Sequence, residues 1–236
     1  MQSQHSSIIE RTGHLNEHLD IVFMMGEELK KPLTVIKALA ESGQESQQSR
    51  MIILESKRAL RSIDNIIFYK RIDADQMSLP LSPIHIGSTL TQVARDLQPL
   101  GYEYGCETEV FIQSGITTVS AHSQVLRSSI ESLWQSVIAM TKKPSAMTWY
   151  VNRTKAGIKI TIINNSIDLS KVGLRKTNNA VGLSSQPLKG VAGPATDLVV
   201  ATKLLAILGG KLRKTKIRGI EGFTVTLPIS EQLALV

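Results

Sequence analysis

Glu27, Glu28, Lys30 and Lys31 crowd one flank of the stretch HLDIVFMMGEELKKPLTVIKALAES, His18–Ser42. Two carboxylates and two ammonium groups within five positions allow two uses. Glu27 can pair with Lys30 at i+3 and Lys31 at i+4, each pair worth about 0.2–0.5 kcal/mol on a helix surface. The same four charges can instead be offered to a docking partner. Elsewhere, Lys142 and Lys143 could touch phosphate or simply solvate a helix end, and the second is the expectation. The alternation Lys211, Arg213, Lys214, Lys216, Arg218 on a strand reads as a solvated face. A single cysteine, Cys106, excludes an intrachain disulfide and a cysteine metal cluster. Its apolar neighbours predict a buried thiol in a reducing compartment.

The charged flank needs a helix to carry it. Leu15, Leu19, Val22, Gly26, Leu29, Leu33, Ile36 and Ala40 recur in alternating steps of four and three, an apolar stripe that asks for a partner helix. Pro32 inside it removes one helical hydrogen bond and bends the rod. This helix is expected from about Arg11 to Ala40, with turn chemistry at Ser42, Gly43 and Gln44. A second helix is expected from about Glu45 to Arg71, on Ile52, Ala59, Ile63, Ile66 and Lys70. Two helices joined by a short turn make an antiparallel hairpin, and dimerisation into a four-helix bundle covers what the hairpin leaves exposed.

Residues 76–85 hold Pro80 and Pro83 and no helical period, which predicts an extended linker and a domain boundary. Beyond it a mixed pattern predicts helices at Ile86–Gly101, Ser123–Met140 and Thr196–Leu208. Strands are expected at Glu107–Gln113, Met147–Asn152, Ile158–Asn164, Lys211–Ile217 and Gly222–Pro228. Gly209–Gly210 reads as a helix C-cap. Asn165–Gly193 is too long for an ordinary connection, and such loops are usually functional or mobile. The fold class is α+β, helices layered on one mixed sheet after a helical hairpin. Trp134 and Trp149 are expected to be packing residues.

Bulk properties narrow the function. The 236 residues carry a net charge of +7 and only 4% aromatics, and the pI is near 9.5. Acidic partners are favoured, but no aromatic interleaving or groove-reading motif accompanies the basic residues, so nucleic acid is not the expected partner. No apolar run of about 18 residues and no signal-peptide pattern is present, which predicts a cytoplasmic protein without a membrane span. A start at Met1 without a sensor domain points to cytosolic input.

At this point the chain resembles the two-domain core of bacterial sensor histidine kinases. GEELKKPLTVIKALAES is similar to the phosphoacceptor box, IDNIIFYKRIDADQM to the end of the second hairpin helix, and LSPIHIGSTL to the linker into the ATPase domain. SQVLRSSIESLWQSVIAMT stands in place of the asparagine box. KITIINNSIDL and GVAGPATDLVVATKLLAILGGKL stand at the two glycine boxes, and GFTVTLP at the final strand. The resemblance implies a dimerisation hairpin over residues 1–75, a linker at 76–85 and a Bergerat-type (GHKL) ATPase-like domain over 86–236.

The resemblance also assigns roles that the residues present do not match. The phosphoacceptor histidine falls at Glu27, a poor nucleophile for phosphoryl transfer. His18, nine positions earlier, lies on the opposite helix face at about 100° per residue. The acid that follows is kept as Glu28, but the water-positioning hydroxyl or amide falls at Lys31. The magnesium-holding asparagine falls at Ser136 and the adenine-reading aspartate at Asn164. First-box glycines fall at Ser166 and Asp168. In the second box Gly193 is kept, and the next two fall at Ala195 and Asp197. A carboxylate at Asp197, beside a helix N-terminus, is expected to cap that helix and compete with phosphate.

The expectation is therefore a catalytically inactive, dimeric histidine kinase-like scaffold or regulator of two-component signalling, not an enzyme, with no cofactor and no metal. It would dimerise through residues 11–71 and present Glu27, Glu28, Lys30 and Lys31 to a response-regulator receiver domain or another histidine kinase. The ATPase-like domain would be a second docking surface. The rivals are a divergent histidine kinase that still binds Mg-ATP and a phosphotransfer protein of the same architecture. The latter needs a histidine on the stem's exposed flank, which the sequence lacks at the matching place.

Overall fold

The computed structural model describes residues 28–29, 32, 34–36, 47–73, 78–115, 118–170, 172 and 195–230. The described positions between 28 and 36 are helical. A long helix, α1, follows at Gln47–Asp73. Most of the expected first helix and the turn after it lie outside the described residues, as does most of the long tract 165–193.

The sheet domain begins earlier than its helices. β1 (Ser82–His85) occupies part of the tract read as a linker and pairs antiparallel with β3 (Thr118–Ala121) in a two-stranded sheet. Pro83 is tolerated because a strand in so small a sheet has a free edge. His85 caps α2 (Ile86–Glu103), its Nδ1 accepting from the Ser88 amide. β2 (Cys106–Ile112), α3 (Ser123–Met140), β4 (Ser145–Thr154) and β5 (Gly157–Asn164) come next, then α4 (Ala195–Ile207), β6 (Arg213–Ile217) and β7 (Ile220–Leu227). The main sheet has the order β2-β4-β5-β7-β6, parallel only between β2 and β4.

Strand alternation decides the layering. On β4, Met147, Trp149 and Val151 are buried and their neighbours are more exposed, so this face of the sheet meets the helices. Trp134 of α3, Leu97 of α2, Leu204 of α4 and Phe223 of β7 are likewise fully buried. Both tryptophans are packing residues, and Trp134 Nε1 donates to Thr108 Oγ1 at 3.1 Å. Gly209 ends α4 with φ +75, and the Gly210 amide donates to the Leu205 carbonyl at 2.8 Å. Only glycine takes that left-handed conformation at little cost, which is why the Gly-Gly pair stops the helix.

α1 lies against the sheet domain along one of its faces. Ile66, Phe68 and Tyr69 join the core. On the opposite side Ile53, Lys57, Leu60, Asp64, Ile67 and Arg71 are all exposed.

Candidate functional site

Of the positions that the resemblance assigns to a nucleotide, Ser136 lies on α3, Asn164 ends β5 with Ser166 just after it, and Asp197 is in the first turn of α4. Each polar side chain there is already engaged within the chain. Ser136 is wholly buried and its hydroxyl donates back to the Ser132 carbonyl at 2.8 Å, one helical turn earlier. Asn164, also buried, uses both ends of its amide. Oδ1 accepts from the Ser166 amide at 2.7 Å and from Ser145 Oγ at 3.1 Å. Nδ2 faces Cys106 Sγ and Thr141 Oγ1, each at 3.4 Å. Two donors and two acceptors exhaust what an amide can do well. Ser166 Oγ accepts from the amides of Lys142 and Lys143 at 3.0 and 2.9 Å, which ties the end of β5 to the segment after α3.

Asp168 sits outside this cluster on the surface. Hydrogen bonds from Ser170 and Lys142 hold its carboxyl down to about 2. Lys142 Nζ lies 3.4 Å from it, with both side chains exposed. Cys106 is a buried thiol, and burial pushes its pKa up.

Asp197 is only 3% exposed, in the first turn of α4. Instead of facing the helix end alone, its Oδ1 accepts from Ser62 Oγ of α1 at 2.9 Å. Burial pushes its pKa up to about 6; Arg58 and Ser62 pull it down and Glu28 pushes it further up. The carboxyl is therefore a contact between stem helix and sheet domain.

That contact belongs to a ladder which the sequence reasoning missed. Glu55, Arg58, Ser62, Asn65 and Tyr69 follow one another along α1 in steps of three and four, so they share the face turned to the domain. Asn65 Nδ2 donates to the buried Ser132 Oγ at 3.1 Å. Ser62 Oγ also lies 3.1 Å from Gln135 Oε1. The Tyr104 hydroxyl donates to Glu55 Oε1, while Arg58 Nη1 lies 3.4 Å from Glu55 Oε2. Burial first, and Glu55 second, push the Tyr104 pKa up to about 12. The signal was present as a polar stripe of helical period beside the apolar one. Polar residues at such spacing are usually solvent-facing, so the stripe did not read as a seam.

A cavity of about 160 Å³ lies in this seam, with Leu29, Pro32, Ile63 and Ile66 on its apolar wall and Glu28 and Arg58 on its polar rim. Glu28 is thus half-buried beside the domain rather than displayed on an open flank. Glu27, Lys30, Lys31 and Gly193 lie outside the described residues. Ala195 opens α4.

No family model matches the sequence, and no curated protein does. Solved structures do match. A histidine kinase of Acinetobacter baumannii, AdeS, aligns over 87% of this chain and 98% of its own, with 10% identity and a TM-score of 0.59. Full-length ShkA in complex with AMPPNP aligns over 93% of this chain and 46% of its own, with 16% identity and a TM-score of 0.57. The catalytic domain of the histidine kinase ThkA aligns over 64% of this chain and 96% of its own, with 11% identity and a TM-score of 0.51. The fold is that of a histidine kinase core. Its helical segment precedes a GHKL-like catalytic domain, the α+β arrangement expected from the sequence. The chain spans about half the length of ShkA.

One expectation is overturned by these matches. The chain was expected to be no enzyme, yet the solved structures that share its fold are histidine kinases, which are enzymes. The substitutions at single positions misled that inference, because they speak to individual contacts and not to the class of the fold.

The histidine kinase fold implies a magnesium nucleotide. Among the described residues, the side chains at the matching positions do not fit one. Magnesium requires hard oxygen ligands with octahedral access, whereas the Ser136 hydroxyl is buried and folded onto its own helix. An adenine-reading group needs a free acceptor, and both lone-pair directions of Asn164 Oδ1 are in use. The Asp197 carboxyl, placed where a helix N-terminus receives phosphate, faces the stem. Among the described residues, no cluster of three or more His, Cys, Asp or Glu could hold a metal, and no helix is long and apolar enough to cross a membrane.

Proposed function

We propose that this chain acts in cytoplasmic two-component signal transduction as a homodimeric docking regulator. It dimerises through residues 11–71 and receives a response-regulator receiver domain, or a partner histidine kinase, on the stem around Glu27, Lys30 and Lys31, with Glu28 half-buried at the edge of that surface. The stem is the hairpin expected over residues 1–75; the GHKL-like domain, which takes in β1 at Ser82–His85, serves as a second docking surface. Docking needs no bound cofactor, and the partners are proteins, not nucleic acid or membrane.

The observation that carries the reading is the outward face of α1. Ile53, Leu60 and Ile67 stand at seven-residue intervals and are 53%, 59% and 41% exposed. Lys57, Asp64 and Arg71 fill the alternate positions, so the stripe has coiled-coil spacing with charges of both signs. Three large aliphatic side chains in a row on one helix face are exposed among the described residues, and a second copy of the stem would cover them. A receiver domain then docks beside this bundle. Light scattering tests the first half of the proposal: a dimer at micromolar concentration supports it and a monomer refutes it.

A further inference from the structure

The main sheet ends on one side in β6, which has β7 as its single neighbour among the described residues. Arg218 and Gly219, both at positive φ, form a two-residue turn between Ile217 and Ile220, the pair that closes the hairpin. In such a hairpin the closing pair exchanges both backbone hydrogen bonds, and bonded pairs then alternate along the ladder. Ile217, Thr215 and Arg213 therefore turn their N–H and C=O groups toward β7, in register with Ile220, Gly222 and Thr224. Lys214 and Lys216 turn theirs outward. Both residues are exposed, and no proline or bulge interrupts this edge.

Charge decides what such an edge accepts. Lys211, Arg213, Lys214, Lys216 and Arg218 lie close together in the chain and all are exposed. Lys214 Nζ donates to the Leu169 carbonyl, and the others make no ion pair among the described residues. The carboxylate across the ladder, Glu221 opposite Lys216, accepts from the Leu169 amide at 2.6 Å. Lysines on an edge ordinarily keep like strands apart. That protection has a sign: a second basic strand is repelled and an acidic one is attracted. The opposite edge of the sheet, β2, exposes Glu107 and Glu109 and so turns an acidic strand away. The two faces of β6 set the rest of the preference. Lys214 and Lys216 lie on one face, with Thr215 and the half-buried Ile217 on the other.

We propose that the edge of β6 docks an acidic, extended segment of a partner protein, which adds to the sheet as a strand through the backbone of Lys214 and Lys216. Acidic side chains at alternate positions of that segment meet the lysine face, and aliphatic ones between them cover Thr215 and Ile217. The inference rests on the reading of the sheet domain as a second docking surface, and it says which surface and which chemistry.

Amide hydrogen exchange of the full chain, read by nuclear magnetic resonance with an acetylated, amidated heptapeptide of alternating glutamate and valine, tests this. With saturating peptide the Lys214 and Lys216 amides are expected to exchange at least about tenfold more slowly, while those of Thr215 and Ile217, already bonded to β7, change little. Lys216→Pro removes one outward N–H and leaves the β7 ladder whole, whereas Lys216→Gln removes only the charge. Peptide affinity in isothermal titration is expected to fall at least about tenfold in the first and less in the second. Unchanged exchange at Lys214 and Lys216 overturns the proposal. Lys216→Pro binding as tightly as the wild type, or no more weakly than Lys216→Gln, overturns it too. If Lys216→Pro does not fold by circular dichroism, the exchange result on the wild type decides alone. Protection of the same amides without peptide, as the chain is concentrated, makes β2 of a second copy the occupant and also overturns it. Receiver binding by the stem is read in a separate titration with Lys30 and Lys31 changed, so failure of either reading leaves the other standing.

Discussion

The seam between stem and domain can be weighed at one pair. Asn65 is buried on α1 and its Nδ2 donates to Ser132 Oγ at 3.1 Å, with Ser132 wholly buried on α3. Asn65→Ala leaves the Ser132 hydroxyl without this donor in a place water does not reach, and a stranded buried polar group costs about 1–3 kcal/mol. Ser132→Ala strands the Asn65 amide at a similar cost. The double variant removes both partners together, so its destabilisation falls short of the sum of the two singles. The expected coupling is about 0.5–1.5 kcal/mol, the net worth of a neutral hydrogen bond. Urea unfolding followed by circular dichroism and by tryptophan fluorescence gives the four stabilities, and coincidence of the two probes checks that one transition is being measured. Single-variant costs that add to within about 0.3 kcal/mol would refute the reasoning. The seam would then be a juxtaposition without energetic content.

Two further predictions test the sheet and the dimer. Gly222 lies on β7 opposite Ile163, and a Cβ added there would overlap the Ile162 carbonyl, a backbone group that cannot turn aside. Gly222→Ala is expected to cost at least about 3 kcal/mol and lower the melting temperature by roughly 6–12 °C in a thermal scan; an unchanged melting temperature would contradict the packing described. Leu60→Ser, at the centre of the exposed stripe of α1, is expected to weaken the dimer at least tenfold in sedimentation or light scattering, because about 1.5–3 kcal/mol of side-chain burial is lost on each copy. Unchanged dimerisation would place the interface elsewhere.

The sheet domain was largely legible because its elements combine a clear period with clear punctuation. α3 runs over Ser123–Met140 as its apolar spacing indicates, and α4 stops where Gly209 permits a left-handed turn. β1 and β3 escaped notice for opposite reasons. Ser82–His85 contains a proline that reads as a breaker, and Thr118–Ala121 is too short and small-sided for alternation to stand out. Ends also moved by a few residues: β7 begins at Ile220 because Arg218 and Gly219, both with positive φ, make a two-residue hairpin turn. The candidate site was legible only position by position. That Ser136 and Asn164 were short of the expected groups was visible, but not that Ser136 bonds back to the Ser132 carbonyl and Asn164 to Ser145, Ser166, Cys106 and Thr141. The polar ladder Glu55, Arg58, Ser62, Asn65, Tyr69 has the same period as the apolar stripe, and which of two stripes faces a domain is decided by tertiary contacts alone.

Docking itself is the claim on which the account turns. Isothermal titration of this chain with a panel of purified receiver domains encoded in the same genome, without nucleotide, tests it most directly. The account predicts saturable binding by at least one receiver, lost or weakened at least tenfold when Lys30 and Lys31 are both changed to Glu. Absence of binding across the whole panel, or binding indifferent to those changes, would contradict it.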